Sequence, residues 1–132
     1  MNDEEKSAMV DAIAALLALK MIIVSDRSMD SQAGGPKPQA IGYVYGHVDA
    51  VLRTKGLDMA TTGIGPQITF QVIRRLWPGK EAAYFGFLMQ NLSNPLVLSG
   101  MMHGGQQYLD SLKPQNSGIV PMGLARYMLA EK

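Results

Sequence analysis

Cysteine is missing from all 132 residues of this chain. Its absence excludes a disulfide framework, a thiolate nucleophile and every cysteine-ligated zinc or iron–sulfur centre, and it fits a reducing, cytoplasmic setting. A long apolar run is missing as well. The most apolar stretch, residues 12–24, carries Lys20 inside it, follows Asp11 and is shorter than the roughly twenty residues a bilayer requires, so no membrane association is expected. The positive segment that precedes the apolar part of a secretory signal is also lacking, because Asp3, Glu4 and Glu5 make that region negative. Nor is there an excess of one charge. Twelve bases against eleven acids leave a formal charge of +1, too little to draw the whole molecule to nucleic acid, which is not an expected partner. The balance is uneven along the chain, with acids dominating residues 1–30 and bases dominating residues 31–80.

What is present is helix-forming sequence. The length suits a single helical domain over residues 1–132, large enough to bury a core without staples. Residues 4–24 contain neither glycine nor proline, are rich in alanine, leucine and methionine, and carry their acids at the start, where they complement a helix dipole. Apolar residues surround this predicted helix from Ala12 onward, which points to a central element enclosed by other helices or by a second subunit. Residues 25–38, with serine, aspartate, paired glycines and two prolines, read as a flexible loop.

From Gln39 a stripe of Ile41, Val44, Val48, Val51 and Leu52 predicts a second helix that stops before Gly56. Pro66 suits the first turn of a third, closed by Pro78 and Gly79. Within it, residues 67–73 fit two periods: Ile68, Phe70 and Val72 alternate as a strand would, while Thr69, Val72, Ile73 and Leu76 follow a helix. Flanking signals and length favour the helix. A short helix over residues 80–92 and a longer one from Asn94 and Pro95 to Lys113 follow, then a turn at 118–121 and a last amphipathic helix over 122–131. The expected fold is all-α: an irregular bundle of five or six helices around a central apolar N-terminal helix.

Chemistry-bearing constellations are sparse. The two histidines, His47 and His103, fall on different predicted helices and neither has a ligand partner at helical spacing, so no metal site and no cofactor is expected. Ser99, His103, Gln106, Gln107 and Asp110 form a polar line best read as a solvated face. Gly63 and Gly65 before Pro66 read as a capping turn rather than a phosphate loop, which would need a preceding strand and a defined lysine or third glycine. Arg74, Arg75, Trp77 and Lys80 are too few to define a nucleic-acid surface. Gly42 with Gly46 and Gly100 with Gly104 have the spacing that lets two helix backbones approach. Ten methionines suit an adaptable core or an apolar contact surface.

These features favour a non-enzymatic helical protein-interaction or regulatory protein acting as a homodimer, with a further protein partner possible and no catalytic residues assigned. Gly42, Gly46, Gly100 and Gly104 would be its helix-contact residues. The alternative is an enzyme or small-ligand-binding protein whose pocket gathers Tyr43, His47, Asp49, Arg53 and His103.

Overall fold

The computed structural model describes residues 2–21, 35–57 and 63–112. Most of the loop expected over residues 25–38, the turn at 118–121 and the helix over 122–131 lie outside the described residues. Within them the chain is all-helical, with five helices and no strand: α1 (Asp3–Met21), α2 (Pro38–Thr54), α3 (Ile64–Leu76), α4 (Glu81–Gln90) and α5 (Pro95–Ser111). None is long and apolar enough to cross a membrane.

The helix ends follow from local chemistry. Asn2 caps α1: its side-chain oxygen accepts from the Glu5 backbone N–H at 2.8 Å, and the Glu5 carboxylate reaches back to the Asn2 N–H at 3.5 Å. Helix α2 ends in a left-handed glycine, Gly56 at φ 76°, with Leu57 N–H donating to the Leu52 carbonyl and Gly56 N–H to that of Arg53. Asn94 caps α5 by accepting from Leu96 N–H at 2.8 Å, with Pro95 at the first helical position. Helix α3 begins at Ile64, two residues ahead of the expected Pro66, because proline is tolerated anywhere in a first turn whose N–H groups have no helical acceptor. The doubtful stretch 67–73 is helical throughout.

Helix α2 is the element that the described residues enclose most fully. Ile41, Tyr43, Val44, Val48 and Leu52 are wholly buried along it, and it packs against α5, α3 and α4. Helix α1 buries one face, Met9, Val10, Ile13, Ala14 and Leu17, and packs on α3. Its other face, with Ala8, Ala12, Ala15 and Ala18, is exposed, and Leu19 is 46% accessible. Among the described residues α1 is therefore covered on one side only. Lys6 to Gln67 at 3.3 Å and the Asp11–Arg75 ion pair fix α1 and α3 in the same direction. Trp77 lies in the core with its ring 5.9 Å from that of Tyr84, which leaves no stacking platform beside Arg74 and Arg75.

Candidate functional site

The sequence places glycines at positions 42 and 46 of α2 and at 100 and 104 of α5, and these four line the contact between the two helices. A Cβ added to Gly42 would fall on the Val97 carbonyl, and one on Gly46 on the Met101 carbonyl, 2.6 Å from its carbon. The relation is reciprocal. At Gly100 a Cβ would lie 2.9 Å from the Gln39 carbonyl carbon, and at Gly104 2.9 Å from that of Tyr43. The pairings 42 with 97 and 46 with 101 rise together, so the helices run parallel with backbone against backbone. Each glycine weakens a helix by about 1 kcal/mol relative to alanine, a cost offset by close-packed backbone contact.

That approach brings together side chains that normal helix spacing would keep apart. Tyr43, wholly buried, donates its hydroxyl to Gln107 Oε1 at 2.6 Å. Since that oxygen accepts, the amide nitrogen of Gln107 is the end facing His103 Nε2 at 2.9 Å, so a neutral His103 carries its proton on Nδ1. The Tyr43 and His103 rings meet edge to face, with centroids 6.1 Å apart. The polar line expected along α5 thus divides. His103 and Gln107 turn towards α2, whereas Gln106 pairs with Asp110 at 3.0 Å on the outer side and Ser99 is exposed.

The five residues of the expected pocket do not converge. Tyr43 and His103 meet as described. His47, also wholly buried, lies one turn further along α2 and packs its ring against Tyr108, centroids 4.9 Å apart. Asp49, two positions on, points away from His47 as helical geometry requires. It pairs with Arg53 at 2.9 Å on the outer face, where the arginine side chain is 74% exposed. There Asp49 also acts on Tyr45, whose hydroxyl pKa is raised above 10.0 first by burial and second by the nearby carboxylate.

Two further features surround the glycine seam. A groove of about 490 Å³ separates α1 from the α2–α5 pair, with His47 and Tyr108 in its lining. On the outside of α5 and at its C-cap residue, Leu98, Met102, Leu109 and Leu112 are exposed, Met102 to 77%. Their steps of four, seven and three residues keep them on one line. Gln107 and Tyr108 are the site residues that sequence reasoning missed. Their spacing from Gly104 was the available signal, since residues three or four apart share a helical face. Among the described residues no group of three histidine or carboxylate side chains is placed to hold a metal ion.

The architecture defines an all-helical protein organised on a tight parallel helix pair. No family model, curated protein or solved structure matches the chain.

Proposed function

We propose that the chain is a non-enzymatic helical interaction protein, regulatory in role, which works in the cytoplasm as a homodimer. The observation that carries this reading is the exposed line of Leu98, Met102, Leu109 and Leu112 on α5. Large apolar side chains exposed singly are ordinary, but four in register along one helix form a seam of the kind that two helices bury between them. A second copy of the same chain is the fitting occupant. From Pro95 to Leu112 the one carboxylate, lysine or arginine is Asp110, which accepts from Gln106, so two copies would meet with little repulsion, and a two-fold interface places the same line on both sides. The uncovered face of α1, with Ala8, Ala12, Ala15, Ala18 and Leu19, offers additional surface to the same partner. In that assembly α1 would become the enclosed central helix that its composition suggests.

The test is sedimentation equilibrium across a wide concentration range. Wild-type protein should show twice the 14.3 kDa chain mass. Met102→Glu and Leu109→Glu should sediment as monomers with unchanged helical circular dichroism, because a carboxylate in the seam would be desolvated without a partner. A wild-type chain that stays monomeric at every concentration defeats the reading.

A further inference from the structure

We infer that the cavity between α1, α3 and α4 is a binding site for a small aromatic carboxylate, with Lys6 holding the acid group and Phe70 and Phe85 the ring. The cavity exists because α1 and α4 both pack on α3, and because Ser7 and Pro66 are too short to fill the wedge between them. Its volume of about 580 Å³ is that of a small-molecule site rather than a packing defect. The α1 residues that line it, Asp3, Lys6, Ser7 and Val10, lie on a different face of that helix from Ala8, Ala12 and Ala15, so the proposed dimer would leave it open.

The lining sets the chemistry. Val10 and Ile68 supply hydrocarbon from the core, and Phe70 and Phe85 add two rings at 90°, with centroids 5.5 Å apart. Both rings are half-buried, so each keeps surface turned to the cavity. An edge-to-face pair offers a third ring an edge and a face together, which favours a flat aromatic over a bulky aliphatic guest. The charged groups of the lining are Lys6, Arg75 and Asp3. Arg75 is met by Asp11, which stands outside the lining, and Asp3 is exposed to water. Lys6 is different. It is half-buried, its ammonium donates to the neutral amide oxygen of Gln67 at 3.3 Å, and among the described residues no carboxylate lies within ion-pair distance of it. A carboxylate from a guest would replace that neutral acceptor with a charged one, the stronger of the two. Gln67 stands one turn before Phe70 and Gln71 on α3, so the ammonium that it accepts from and the ring beside it are neighbours along the cavity.

The test is a nuclear magnetic resonance titration of the isotope-labelled full chain with 1-naphthylacetate, and in parallel with 1-naphthylacetamide, which lacks the charge, and 1-adamantaneacetate, which lacks the flat ring. Three phenylalanines make the ring signals of Phe70 and Phe85 simple to assign. Saturable shifts at both rings with 1-naphthylacetate, and affinity at least about tenfold lower for the other two probes, are the supporting result. Lys6→Met should bring the acid down to the affinity of the amide, while Lys55→Met, at an exposed lysine outside this cavity, should leave the preference intact. Ser7→Phe should fill the cavity and remove the shifts of all three probes. Ser7 is exposed, so the fold should tolerate the larger ring, as the otherwise unperturbed spectrum would report. Four results overturn the inference: no shift at Phe70 or Phe85 up to millimolar probe, equal binding of acid and amide or of flat and bulky acid, unchanged affinity in Lys6→Met, or shifts centred on Met102 and Leu109. The outcome is independent of the oligomeric state, which the sedimentation experiment reads separately.

Discussion

Gly46 and Gly86 both sit inside helices, yet they should respond to alanine in opposite ways. At Gly46 a methyl group would collide with the Met101 backbone, which can yield only if α2 and α5 separate. Gly46→Ala should therefore cost about 1–3 kcal/mol in a urea melt. At Gly86 nothing lies within 4 Å, so Gly86→Ala should add roughly 0.4–1 kcal/mol by restricting the unfolded chain. Equal responses would remove the close-contact account of the seam. Tyr45 gives a second residue-level expectation. Its pKa is raised by burial and by Asp49, so the native state holds the phenolic proton more tightly than the unfolded chain does. The associated stability is complete below pH 10 and is lost as pH rises through the folded value. Asp49→Asn should shift the Tyr45 ultraviolet titration downward, though not fully to 10.0, because burial is the larger cause. The glycine spacing was legible in the sequence because only glycine leaves a gap every four residues. The Tyr43–Gln107–His103 chain was not, since sequence spacing does not reveal which side of α5 meets α2.

At the scale of elements, composition and punctuation defined the helices well. Asn94–Pro95 marks the start of α5 and Gly56 the end of α2, because capping chemistry is local. Which helix lies at the centre was not equally legible. Alanine counts as apolar in any periodicity argument, but it exposes so little surface that α1 can leave Ala8, Ala12, Ala15 and Ala18 in water at small cost. The wholly buried position of α1 is Leu17, while Leu16 is only half-buried and lines the groove. Leu17→Asp should thus destabilise by several kcal/mol, as an unpaired carboxylate in the core does, and Leu19→Asp should change stability by less than about 0.5 kcal/mol in the monomer. Thermal melts of the two variants that coincide would refute the assignment of the buried face.

At the scale of the whole molecule, the proposed dimer raises the question of what would drive two copies together. If the α5 seam does, burial of Leu98, Met102, Leu109 and Leu112 is the driving force, and it carries little charge to be screened. The mass of the assembly should then be insensitive to salt between low and physiological ionic strength. Its melting temperature, by contrast, should climb with protein concentration, because association removes folded chains from the unfolding equilibrium. An increase of about a hundredfold above the dissociation constant should raise the midpoint by a few degrees for a domain of this size. Met102→Glu should flatten that dependence while keeping the low-concentration midpoint, since Met102 is 77% exposed and contributes little to the isolated fold. A wild-type midpoint that ignores concentration, or a mass that falls steeply with added salt, would shift the driving force away from this seam and towards the charged surface formed by Asp49, Arg53 and their neighbours.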